Sequence, residues 1–160
     1  MSLADWLRVF HTLHEQAKKG ELTGTDAADY RAGCDELSRA LLAAQKIALK
    51  PGEQPRHLLR VARAMQVNLE SKVSSVRAMT IDVSVAGFSV LLGKVPPSEP
   101  QTATLRIPGA EPVVAEVVPG EAKQQTGTVR VAFLFQRLPD AERQRLEMLV
   151  IDTALSQLVG

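Results

Sequence analysis

The sequence predicts a mainly β protein, an antiparallel sandwich or barrel, with a helical hairpin ahead of it and a single helix behind. Two changes of period predict it. Apolar residues recur at helical spacing as far as Pro51-Gly52, at every second position between Val61 and Phe135, and at helical spacing again after Pro139. The alternating runs are short and separated by turn residues, the mark of an antiparallel all-β unit. Composition supports one compact domain with an appendage: 160 residues, 45% hydrophobic and 23% charged. Aromatics make up only 4%, so the core should be aliphatic.

Ser2-Leu3-Ala4-Asp5 has the form of a capping box, with Asp in place of Glu or Gln. Leu3, Trp6, Leu7, Phe10, Leu13 and Ala17 follow at helical spacing, and Lys18-Lys19-Gly20 ends that helix. A second helix starts at Thr25-Asp26 and runs to about Leu49. Its apolar positions Tyr30, Cys34, Leu37, Leu41, Ala44 and Ala48 form a seam in alternating steps of four and three. Either the first helix or another subunit can cover that seam.

Six strands are then expected. Met65, Val67 and Leu69 alternate with Gln66, Asn68 and Glu70; Arg77 to Val83 alternates with Met79 and Ile81 on one face; Phe88, Val90 and Leu92 form a third. After the rigid Pro96-Pro97-Ser98-Glu99-Pro100 loop come Ala103-Leu105-Ile107, Val113 to Val118 and Val129 to Phe135. Pro108-Gly109 and the polar stretch Gly120–Gly127 separate these last three. Pro139-Asp140 opens the final helix, with Leu146, Leu149, Val150, Ala154 and Leu158 on one side, suited to closing an open end of a barrel.

The net charge of +1 gives no global field for a polyanion. Positive charge is local instead: residues 51–80 carry Arg56, Arg60, Arg63, Lys72 and Arg77 against Glu53 and Glu70. A small anion suits this better than a long nucleic acid, which wants a broad basic face. The sole Trp and Tyr lie in the helical hairpin, away from any stacking surface on a barrel. One cysteine, Cys34, excludes an internal disulfide framework and fits a reducing compartment. Asp5 and Trp6 interrupt any leader pattern and no apolar run nears the roughly 20 residues of a span, so a cytoplasmic chain without membrane insertion is expected. His11 and His14 have no second ligand pair in sequence, which argues against zinc. No nucleophile–base pair, phosphate loop or paired carboxylates stand out, so catalysis has no support and no cofactor is expected.

Two strings concentrate the chemistry. Arg56-His57-Leu58-Leu59-Arg60 puts two guanidinium forks just ahead of the first strand, and such forks bond phosphate or the guanine O6/N7 edge bidentately. Asp82-Val83-Ser84-Val85-Ala86-Gly87 ends a strand with a carboxylate, a hydroxyl and a glycine. A carboxylate accepts two parallel bonds from the N1–H and N2–H edge of guanine, and a glycine allows positive φ and a close approach of the backbone to a ligand. Each string alone also reads as ordinary structure: a pair of solvated arginines, and a serine turn with a glycine bulge.

Taken together, Arg56-x-x-x-Arg60 followed by Asp82-x-Ser84-x-x-Gly87 resembles the double signature of the PilZ family, from about Gln54 to the C-terminus. That family consists of bacterial six-stranded β-barrels that bind the second messenger cyclic-di-GMP. The helical hairpin read from its spacing at 1–50 lies outside the family pattern, and the resemblance implies a linker with an arginine switch at 51–60 and a PilZ barrel with its C-terminal helix at 61–160. Arg56 and Arg60 would bind the phosphates and guanine faces, while Asp82, Ser84 and Gly87 would receive a guanine on the barrel surface. Many members carry a basic residue directly before the first arginine, where this chain has Pro55, which bears on affinity and on whether one or two nucleotides bind. The expected function is a non-enzymatic cyclic-di-GMP receptor in motility or biofilm signalling. Nucleotide would order a mobile 51–61 segment and change the surface offered to a protein effector, with a homodimer through the N-terminal helices as a further expectation. The alternative is a PilZ-like adaptor that works by protein contacts without nucleotide.

Overall fold

The computed structural model describes residues 2–47 and 58–159. In chain order the elements are α1 (Leu3–Lys18), α2 (Gly24–Ile47), β1 (Val61–Ala62), β2 (Gln66–Glu70), β3 (Ser75–Val83), β4 (Gly87–Leu92), β5 (Gln101–Leu105), β6 (Val113–Gln125), β7 (Thr128–Arg137) and α3 (Asp140–Val159). The chain divides into two compact units, residues 1–59 with 154–160, and residues 60–153.

In the helical unit, Ser2 caps α1 by accepting the Asp5 amide at 3.1 Å, and its hydroxyl donates to the Asp5 carboxylate at 2.8 Å. Asp5 also pairs with Arg8 one turn on, at 2.8 Å. The α1–α2 seam is aromatic. Trp6 stacks on Phe10 with centroids 5.2 Å apart, Phe10 stacks on Tyr30 at 5.5 Å, and Gly33 makes the notch that admits the Phe10 ring. A β-carbon at Gly33 would lie 2.7 Å from two carbons of that ring. His14 is fully buried, with Nδ1 2.7 Å from the Tyr30 hydroxyl. Among the described residues no cluster of three His, Cys, Asp or Glu is placed to hold a metal ion. No described helix is long and apolar enough to cross a membrane.

In the other unit the sheet runs β1-β3-β2-β5-β6-β7-β4, and β3 also pairs with β4. The six strands β3-β2-β5-β6-β7-β4 therefore close on themselves as an antiparallel barrel. Closure selects the barrel over the sandwich. Inward residues alternate along each strand: Val67 and Leu69, Phe88 and Val90, Ala103 and Leu105, Val113 and Val117, and Val129, Val131 and Phe133. Phe88 and Phe133 stack at 5.6 Å in an otherwise aliphatic core, and α3 adds Leu146 and Leu149 to it.

Three local readings of the sequence change. First, Val61–Ala62 is a separate strand on β3, because the chain leaves the ladder at residues 63–65 and Thr80 bridges the gap. The Thr80 hydroxyl accepts from the Met65 amide at 2.9 Å and donates to the Arg63 carbonyl at 2.5 Å. Second, Met79 lies on the outside of β3, 54% exposed, because Ala78 and Thr80 face inward and a bulge follows between Thr80 and Asp82. Third, the polar stretch expected to separate strands is itself strand. β6 continues to Gln125 and meets β7 across Thr126-Gly127, where Gly127 takes φ +76°. Residues 120–127 are exposed throughout, so this part of the hairpin shows no apolar alternation.

Candidate functional site

The bulge in β3 decides which side chain faces out. Thr80 pairs with Val90, but two residues later Asp82 pairs with Ser89 and Val83 with Phe88. One inserted residue rotates the pleat, so Val83 enters the core and Asp82 joins the outer face. A row across four strands results: Ala62 of β1, Asp82 of β3, Ser89 of β4 and Ala132 of β7.

Arg60 directly precedes β1, which brings its side chain onto this row. Its Nη1 donates to Asp82 Oδ1 at 3.2 Å and to Ser89 Oγ at 3.3 Å. Arg130 reaches the same carboxylate from β7, its Nη2 donating to Asp82 Oδ2 at 3.0 Å. Each carboxylate oxygen thus meets a guanidinium. The Asp82 side chain is 12% exposed, against 19% for Arg60 and 38% for Arg130. The trio carries a net positive charge, two guanidiniums on one carboxylate. Removing Asp82 would leave two cations facing each other in a partly desolvated place.

The turn after Asp82 is held by its own groups. The Ser84 amide donates to the Gly87 carbonyl at 2.8 Å, and Ser84 Oγ accepts the Ala86 amide at 3.1 Å and lies 3.4 Å from that same carbonyl. Ser84 is only 2% exposed, so its hydroxyl is spent on the turn while Asp82 faces outward. Gly87 is not one of the glycines with positive φ. What excludes a side chain there is the approach of β7: a β-carbon at 87 would stand on the Phe133 carbonyl, 3.0 Å from its carbon and 3.1 Å from Leu134 Cα. The close approach is to the barrel's own backbone.

Of the residues singled out in the sequence, the structure brings Arg60 and Asp82 into direct contact and sets Ser84 and Gly87 in the adjoining turn. Arg56 and His57 lie outside the described residues. Arg130 and Ser89 escaped the reading of the sequence. The available signal was a charge between Val129 and Val131, an outward position in a core strand, but only the register shows that it reaches Asp82. Chemically, the site offers a carboxylate acceptor for a paired N–H edge and guanidinium forks for an anion.

Residues 53–152 match the family model described as PilZ domain. Three solved structures share the fold. The Bacillus subtilis inhibitor of motility (MotI/DgrA) has a TM-score of 0.57 at 18% identity, over 66% of this chain and 53% of that one. YcgR of Escherichia coli in complex with c-di-GMP has a TM-score of 0.58 at 14% identity, over 66% of this chain and 48% of that one. The PilZ domain of that same protein with c-di-GMP has a TM-score of 0.54 at 13% identity, over 65% of this chain and 95% of that one. The match thus spans about half the length of MotI and of YcgR. No curated protein matches the chain in sequence.

Proposed function

We propose that this chain, which belongs to the PilZ domain family, is a non-enzymatic cytoplasmic receptor for cyclic-di-GMP. The observation that carries the reading is the Asp82 carboxylate on the outer face of the barrel, held between Arg60 and Arg130 beside the Ser84–Gly87 turn. Two solved relatives of the same fold are complexes with c-di-GMP.

In this reading Asp82 accepts the N1–H and N2–H edge of one guanine, and Arg60 and Arg56 turn their forks to phosphates and guanine faces. Ser84 and Gly87 build the turn that presents Asp82 to the ligand. Arg56 and Arg60 both lie in the sequence between α2 and β1, so capture of both by one ligand would alter the surface seen by a protein effector. A role in motility or biofilm control follows by analogy with a relative named as an inhibitor of motility.

Titration calorimetry with cyclic-di-GMP at two temperatures is the direct test. Saturable heat with a folded chain supports the receptor. Absence of heat at both temperatures would leave the adaptor reading, in which the Arg60–Asp82–Arg130 network is structural and Pro55 marks a site that no longer takes nucleotide.

A further inference from the structure

We infer that Arg130 and Lys123, outside the paired motif, form an anion subsite for a phosphate of the bound cyclic dinucleotide, and that Arg130 reaches it by leaving Asp82. The inference rests on the receptor reading above and deepens it.

Three observations lead there. The first is competition for the Asp82 carboxylate. Both oxygens are already taken by guanidiniums, at 3.2 and 3.0 Å. A guanine edge also needs both, since N1–H and N2–H lie side by side. With about four lone-pair sites, the carboxylate holds the edge and one guanidinium readily once the other turns away. Arg130 is twice as exposed as Arg60, 38% against 19%, and Arg60 holds a second partner in Ser89. The more solvated guanidinium, with no second partner at the site among the described residues, is the one that turns away.

The second observation is like charge set face to face. Lys123 of β6 is the cross-strand partner of Arg130, and cross-strand partners project from the same face. Like charges directly opposite are unfavourable. Lys123 is exposed and makes no ion pair among the described residues. A phosphate between the two would replace repulsion with two charge-assisted contacts.

The third is charge balance. Arg60 and Arg130 flank the carboxylate of Asp82, and Lys123 stands across from Arg130 on β6, three positive charges and one negative among these four side chains. The excess of two matches the two phosphodiesters of a cyclic dinucleotide. Binding then becomes a partner exchange: guanine takes the carboxylate, and the displaced guanidinium follows the phosphate. Arg130 would at once keep the carboxylate paired in the empty site and contribute affinity in the filled one.

The test is a set of titrations with cyclic-di-GMP on the full chain. Arg130→Ala should weaken binding about ten- to a hundredfold, the range for losing a charge-assisted hydrogen bond. Lys123→Ala should weaken it by roughly threefold, as for a solvated point charge. Arg130→Lys should recover part of the loss. The loss on Arg130→Ala should persist in an Asp82→Ala background, because the contact is with phosphate; a loss that vanishes there would show Arg130 acting only through the carboxylate and overturn the inference. Unchanged or tighter binding by Arg130→Ala would overturn it as well. Should the alanine variant lose its melting transition, Arg130→Gln supplies the same comparison. If the parent chain itself bound no nucleotide, the receptor reading and this inference would fall together, whereas binding by the parent with an indifferent Arg130 removes this inference alone.

Discussion

Replacing Gly87 by alanine should cost stability before any ligand is present. The new β-carbon would overlap the Phe133 carbonyl oxygen and stand 3.0 Å from the carbonyl carbon and 3.1 Å from Leu134 Cα. Carbon atoms rest about 3.5–4.0 Å apart, and the overlap with the oxygen is tighter still, so β4 and β7 must separate by roughly 1 Å or more. Backbone groups on both sides of the contact resist that. The Phe135 amide donates to the Ala86 carbonyl at 3.0 Å, and the stretched bond would leave the favourable range. Overpacking of this kind costs about 1–3 kcal/mol, and a weakened backbone hydrogen bond adds on the order of 1 kcal/mol. Together these give about 2–4 kcal/mol. For a chain of this length that is a fall in melting temperature on the order of 5–15 °C, read by circular dichroism or differential scanning fluorimetry on the unliganded protein. A Gly87→Ala variant that melts within a degree of the parent would refute the reasoning and return the glycine to a purely ligand-facing role.

Other outcomes follow from the same contacts. Arg60→Ala should weaken cyclic-di-GMP binding by about 1.5–3 kcal/mol, and equal binding by calorimetry would mean that the site is misplaced. Asp82→Ala should lower affinity by a similar factor and reduce discrimination of cyclic-di-GMP from cyclic-di-AMP, measured by competition. In the helical unit, Tyr30→Phe removes the 2.7 Å contact with buried His14 and should lower stability by about 1 kcal/mol in urea; an unchanged midpoint would show that this contact contributes nothing. Size exclusion with light scattering, with and without nucleotide, should show a dimer if α2 pairs between subunits, and a monomer under both conditions rejects that pairing.

The barrel was legible because its strands are short, alternate cleanly and are punctuated by proline and glycine. Each of the six expected strands is present, and the helix after Pro139 adds Leu146 and Leu149 to the core. Where the reading slipped, register was the reason. A bulge in β3 cannot be seen in a string of residues, so the alternation that set Met79 and Ile81 on one face did not show that Met79 lies 54% exposed or that Asp82 faces outward. The β6 arm beyond Pro119 is exposed, and without a buried side a strand carries no period to read. Gly87 was recognisable as a required glycine, but its neighbour is Phe133, forty-six residues on. Arg130 lies 48 residues from Asp82 in the chain, and only strand order makes them partners. Arg60 and Asp82 stood out because each belongs to a short local string.

The aromatic seam of the helical hairpin has an optical consequence. Trp6 is the chain's sole tryptophan, and it stacks on Phe10 within the helical unit, while Arg60, Asp82 and Arg130 all belong to the barrel unit. Emission excited at the red edge of the indole band therefore reports on one unit alone. Nucleotide added to the other should leave that emission untouched unless the two communicate. The chain thus carries its own reporter of whether occupancy of the barrel is felt by the helices, with no label to attach and no residue to change.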